Sequence, residues 1–219
     1  MIRLHHVPGA RSFRILWLLE ELGLDYEVQT WRLDDGSTRS AAFRALAPMG
    51  RIPVLEWDGL TISESGAILQ TLLERHPDSG LSPAVTAPER PRFLEWLHFA
   101  ETQAPILEQL NIQHIFLHPA EARSPVLMKL LTKRLEVTMK VMEAALADRQ
   151  TLLESGFSGA DVMLGFNIPT VFRFVPEADY PHLSTYAKAM AARPAYARAM
   201  ARAGADTLYT RAFYEIPNG

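Results

Sequence analysis

The chain has 219 residues, 48% of them hydrophobic and 21% charged, with a formal net charge of −3 and a sequence pI of about 6.2. That balance is globular and water-compatible, and it argues against nucleic acid or an acidic membrane surface as a partner. Cysteine is absent, which excludes disulfides, thiolate metal sites and a cysteine nucleophile.

Met1 to His6 has no apolar signal core, and no apolar run is long enough to cross a bilayer, so the expected location is the cytoplasm. Ile2 to His6 reads as a short strand, closed by Pro8-Gly9. The stretch from Arg11 to Gly23 carries Ile15, Leu18, Leu19 and Leu22 at helical spacing and ends on a glycine stop. Tyr26 to Leu33 reads as extended and Ser40 to Leu46 as a short helix. Two strands, Pro53 to Trp57 and Leu60 to Ile62, flank the hairpin dipeptide Asp58-Gly59. A helix follows from Glu64 to Arg75, before Pro77. The order β-α-β-α-β-β-α predicts a small mixed sheet with a right-handed parallel crossover and a terminal hairpin.

From Pro77 to Pro91 the composition becomes that of a linker, with four prolines, a glycine and two serines. Beyond it the signals are helical. A long helix spans Arg92 to His118, with a bend expected near Pro105. A second runs from Pro125 to Arg149, with Val126, Leu130, Val137, Val141 and Ala145 on one face. A third, from Ser158 to about Val175, is apolar nearly all round and is expected to be the most buried. His182–Ala192 and Ala195–Ala203 complete the set. The fold class is therefore α/β plus all-α: residues 1–77, a linker over 78–91, and a helical half over 92–219. Ser158-Gly159-Ala160-Asp161 is a capping box flanked by Phe157 and Val162, a structural signal with no catalytic role.

Two local patterns carry the functional reading. In Gly50-Arg51-Ile52-Pro53-Val54-Leu55 a strand opens at a proline, and a cis Ile52–Pro53 bond would turn the preceding backbone groups outward. In Ser63-Glu64-Ser65-Gly66-Ala67-Ile68 a helix opens on a carboxylate and a hydroxyl, where unpaired N–H groups favour a carboxylate ligand. Together they read as a receptor for a short peptide with charged ends. The same residues also fit an ordinary hairpin and an ordinary helix cap.

The chain resembles the glutathione transferase family over almost its whole length. The resemblance is carried by the first helix, Arg11 to Leu24 with its Leu16-Trp17-Leu18-Leu19 run, by Pro48 to Val54 with Glu64-Ser65-Gly66-Ala67, and by Phe157 to Asp161. Its flavour is that of a bacterial and fungal branch. The resemblance implies a thioredoxin-like N-terminal domain that holds glutathione as co-substrate, no metal, a helical domain that shapes the seat of a small hydrophobic electrophile, and a homodimer. The residues matching Pro53, Ile52, Glu64 and Ser65 are then glutathione-binding. In the family the proline matching Pro53 is cis, the residue matching Ile52 pairs through its backbone with the cysteinyl part, and those matching Glu64 and Ser65 hold the γ-glutamyl end. Arg39 and Arg51 are candidates for the glycyl carboxylate. His114, Tyr209 and Phe213 are candidates for the electrophile pocket. The alternative for His114 is to face solvent, and for the aromatic tail to pack on the helical half.

A free thiol is mostly protonated at neutral pH, so a transferase must stabilise the thiolate. In relatives a serine just before the residue matching Arg11 does this; here that position is Ala10. The cysteine of another branch matches Arg11, a second departure. The expected catalytic pair is therefore Ser12, by its hydroxyl or its N–H, with Arg11 adding positive charge. Two alternatives stand beside it: Ser12 only caps its helix, and the protein binds glutathione with little or no transfer.

Overall fold

The computed structural model describes residues 1–216; the last three residues of the expected helical half lie outside the described residues. Four strands and eight α-helices occur in chain order among the described residues. Strand β1 (Ile2–His6) is followed by helix α1 (Ser12–Leu22), strand β2 (Tyr26–Thr30) and helix α2 (Ala41–Leu46). Strands β3 (Val54–Trp57) and β4 (Leu60–Ser63) lead into helix α3 (Ser65–Arg75). Then come α4 (Arg90–Asn111), α5 (Pro125–Ala145), α6 (Gly159–Val171), α7 (Pro181–Ala191) and α8 (Pro194–Ala203). None of these helices is long and apolar enough to cross a membrane.

The chain divides into two compact units. The first joins Met1–Ala87 to Ala191–Thr207; the second takes Pro88–Met190 and the segment from Leu208 onward. In the first unit the sheet order is β2-β1-β3-β4. The β1–β2 pair is parallel, Ile2 opposite Tyr26 through His6 opposite Thr30. A parallel pair needs a crossover, and α1 supplies it. β3 returns antiparallel to β1, with Leu4 opposite Leu55, and β4 pairs antiparallel with β3 across the Asp58-Gly59 turn. Both turn residues have positive φ, 50° and 82°, the requirement of a tight hairpin whose twist matches its strands. Helix α1 is buried from Ser12 through Leu19 and stops at Gly23, whose φ of 63° lets its N–H return to the Leu19 and Glu20 carbonyls.

Helix α8, expected with the helical half, packs on α1 instead. Tyr196 stands edge-on to Trp17, ring centroids 4.9 Å apart, and to Phe13 at 5.2 Å. Arg193 grips Glu21 with two bonds of 2.6 and 2.9 Å, and Arg198 Nε reaches Glu20 Oε2 at 2.7 Å. Aromatic edge contacts, the bidentate Arg193–Glu21 pair and the Arg198–Glu20 pair hold the return of the chain.

In the second unit α6 begins at the capping box. The Asp161 carboxylate accepts from the N–H of Leu152 at 3.0 Å, the N–H and hydroxyl of Ser158 at 2.8 and 3.1 Å, and the Tyr186 hydroxyl at 3.1 Å. Helix α5 buries Met128, Leu131, Leu135, Met139 and Met142. The face read from its sequence points the other way: Val126 is 80% exposed and Val137 62%, with Leu130 and Val141 beside them. The first long helix is shorter than expected. α4 ends at Asn111 and passes into a π-helical turn, Ile112–Phe116.

Candidate functional site

A cavity of about 260 Å³ lies in the first unit, and its wall includes Arg11, Arg51, Ile52, Pro53, Glu64 and Ser65. Six of the eight sequence-predicted catalytic and glutathione-binding residues are thereby brought together. The turn after β1 delivers Arg11, the residue that opens α1. The Ile52–Pro53 bond is cis, and Ile52 lines the cavity just before β3. Glu64 stands at the start of α3 with φ of 71° and ψ of 113°, a conformation that costs a residue with a β-carbon about 1–3 kcal/mol. Such strain is held where it serves a purpose: here it sets the exposed Glu64 carboxylate on the cavity rim while α3 starts one residue later.

Ser65 is buried, and its hydroxyl oxygen accepts from Arg14 Nη1 at 2.9 Å. An oxygen that accepts from a guanidinium keeps its own proton to donate, so Ser65 is set to donate to an anion above it. The first-turn N–H groups of α3 and the positive end of its dipole favour the same charge. Arg11 and Arg51 add positive charge along the wall, and Glu64 adds one negative group. The cavity therefore matches a ligand with carboxylates and an ammonium group.

Ser12 is not part of it. The residue is 0% exposed and absent from the cavity wall. Its oxygen accepts from the Val7 N–H at 3.2 Å and lies 2.9 Å from His6 Nδ1. His6 Nε2 is 2.9 Å from the Ala203 carbonyl, which can only accept. The imidazole thus carries its proton on Nε2, and Nδ1 accepts the Ser12 proton. Burial holds the His6 pKa below the ordinary 6.5, in keeping with a neutral ring. The Ser12 hydroxyl proton, one of the two groups expected to reach the sulfur, is thus committed inward. Arg39 is exposed, at the end of a 3₁₀ turn over Ser37–Arg39, and is not among the cavity-lining residues.

Of the electrophile-pocket candidates, His114 and Tyr209 meet in one cluster of the second unit. His114 lies in the π-helical turn, 9% exposed, with ring centroids 5.4 Å from Phe174 and 5.8 Å from Tyr214. Burial first, and then the Arg123 and Arg211 charges, hold its pKa below the ordinary 6.5. The Tyr209 oxygen accepts from Asn111 Nδ2 at 2.9 Å, and the Arg173 guanidinium lies 4.6 Å over its ring. Phe213 stands partly in solvent at 38% exposure.

Two functional side chains escaped the sequence reading. Arg14 is fully buried beneath Ser65; the available signal was a cation set between Phe13 and Ile15 in an otherwise apolar run. His6, which turns Ser12 inward, gave no sequence signal, because its partner Ala203 is distant along the chain.

Comparison with known proteins identifies the family. The model of the glutathione S-transferase N-terminal domain matches residues 1–74, and that of the C-terminal domain matches residues 108–194. Glutathione S-transferase 3 of Schizosaccharomyces pombe is 28% identical over 206 residues, 89% of this chain and 85% of that protein. Maleylacetoacetate isomerase of Rattus norvegicus is 29% identical over 189 residues, 84% and 85% of the two chains. A solved sphingomonad glutathione S-transferase, complexed with glutathione, matches with a TM-score of 0.78 at 29% identity, over 92% of this chain and 98% of that one. The chain belongs to the glutathione S-transferase family.

Proposed function

We propose that the protein is a glutathione transferase that holds glutathione in the first-unit cavity and joins its sulfur to small apolar electrophiles. The observation that carries the reading is the convergence of Ile52, Glu64, Ser65, Arg11 and Arg51 on one cavity. The Ile52 backbone pairs with the cysteinyl part of the peptide. Glu64 takes the γ-glutamyl ammonium, Ser65 takes the neighbouring carboxylate, and Arg51, with Arg39 from the adjoining turn, takes the glycyl carboxylate. The thiolate is stabilised by the positive end of α1 and by Arg11, since Ala10 has no hydroxyl and that of Ser12 is turned inward. With an aryl halide the thiolate attacks the ring carbon, the C–S bond forms, the C–Cl bond breaks and chloride leaves. The same thiolate serves glutathione-dependent peroxide reduction: the sulfur attacks a peroxide oxygen, the O–O bond breaks to release an alcohol or water, and a second glutathione converts the resulting sulfenic acid to glutathione disulfide and water. His114, Tyr209 and Phe213 shape the seat of the electrophile. The protein acts in the cytoplasm as a homodimer, with the exposed apolar face of α5 as the support for pairing.

The absence of a hydroxyl at the sulfur favours a second reading, a glutathione-binding protein with little transfer. Initial rates with glutathione and a chlorodinitrobenzene separate the two. Turnover above the uncatalysed rate, falling roughly ten- to a thousandfold in Arg11→Gln, supports the transferase. Glutathione binding without turnover supports the second reading.

A further inference from the structure

Helix α4 does not end in a regular cap. It passes at Asn111 into the π-helical turn Ile112–Phe116, a rare geometry that often marks functional sites. Two buried polar atoms at this end have no hydrogen-bond partner among the described residues, Asn111 Oδ1 and His114 Nε2. A buried polar atom without a partner costs about 1–3 kcal/mol and calls for a specific reason. Both side chains converge on the same aromatic wall. Asn111 donates to the Tyr209 oxygen, His114 packs on Tyr214, and the rings of Tyr209 and Tyr214 lie 6.3 Å apart. Phe174 closes the wall, its ring stacked on that of Tyr214 at 5.6 Å.

We propose that Asn111 and His114 form a hydrogen-bonding seat for a hydroxyl group carried on a planar aromatic ligand. The chemistry follows from what each atom can do. Asn111 Oδ1 is a carbonyl oxygen and can only accept, while the amide nitrogen donates to Tyr209. A neutral His114 ring offers Nε2–H. One hydroxyl satisfies both: its proton goes to Oδ1 and its oxygen accepts from Nε2–H. Burial first, and then the Arg123 and Arg211 charges, hold the His114 pKa below its ordinary value, in keeping with a neutral ring. The surrounding rings of Phe174, Tyr209 and Tyr214 select a flat partner. The identification of this ligand as the co-substrate rests on the transferase reading; the seat itself does not.

The test compares para-nitrophenol with nitrobenzene, which keeps the ring and lacks the hydroxyl, by calorimetric titration of the full chain without glutathione at a mildly acidic pH where the phenol keeps its proton. The expected result is tighter binding of the phenol by about tenfold or more, because a polar seat rejects a ligand that leaves its groups unpaired. Asn111→Leu and His114→Phe each abolish the preference. If a variant fails to fold, the side-chain nitrogen resonances of Asn111 and His114 in the wild type must shift with the phenol and not with nitrobenzene. Equal affinity for the two ligands, no binding of either, or a preference that survives both substitutions overturns the proposal; no binding of either would assign the two atoms to a trapped water. A separate titration with glutathione reports on the first-unit cavity, so failure of the seat and failure of the glutathione reading are distinguished.

Discussion

At the scale of single residues, the direction of one hydroxyl changes the account of activation. Ser12 gives its proton to His6 and accepts from the Val7 N–H, so its removal leaves a buried N–H and a ring nitrogen unpaired. Ser12→Ala is therefore expected to lower stability by about 1–3 kcal/mol in denaturant unfolding, while the pKa of bound glutathione, read from thiolate absorbance, stays where it was. A raised thiol pKa with unchanged stability would return Ser12 to the sulfur. The residues that line the first-unit cavity were legible in the sequence because their signal is local: a proline opening a strand, an acidic residue and a serine opening a helix. The orientation of Ser12 was not, because it depends on a histidine six residues back, itself fixed by the carbonyl of Ala203. Arg14 was hidden for a similar reason. Its partner Ser65 is 51 residues away, and the helix pattern alone does not say that a cation is buried.

At the scale of elements, the capping box of α6 was readable as a four-residue pattern, and the structure extends it to Leu152 and Tyr186. Every contact of the Asp161 carboxylate is with a donor. An amide supplies one acceptor oxygen and sets an N–H₂ against donors. Asp161→Asn is thus expected to destabilise the protein by about 2–4 kcal/mol, nearly as much as Asp161→Ala, by chemical denaturation. A loss below about half a kcal/mol would mean that the box contributes little. The helix–strand order of the first unit follows from periodicity and turn dipeptides. The early end of α4 does not, because the apolar spacing continues through Ile112, Ile115 and Phe116 while the backbone changes from α to π winding.

At the scale of the whole molecule, the two-part organisation was visible in the proline-rich stretch after Pro77, but the return of α8 to the first unit was not. The apolar stripe of α8 suits any partner helix; its address is set by Arg193 and Arg198 meeting Glu21 and Glu20, 172 and 178 residues earlier. The apolar face of α5 was seen in the sequence, and the structure leaves it exposed. If it pairs two chains, light scattering gives the wild type twice the 24.6 kDa chain mass, and Val137→Glu with Val141→Glu reduces it to one chain, since like charges would face each other in an apolar interface. A wild-type mass of 24.6 kDa at micromolar concentration would contradict pairing.

The central claim is that the first-unit cavity is the glutathione site. Calorimetric titration of the wild type and Glu64→Ala with glutathione tests it directly. Loss of a charge-assisted bond to the γ-glutamyl ammonium is worth about 1.5–3 kcal/mol, so the variant is predicted to bind roughly ten- to a hundredfold more weakly. Equal affinity of the two proteins, or no binding by the wild type, would contradict it.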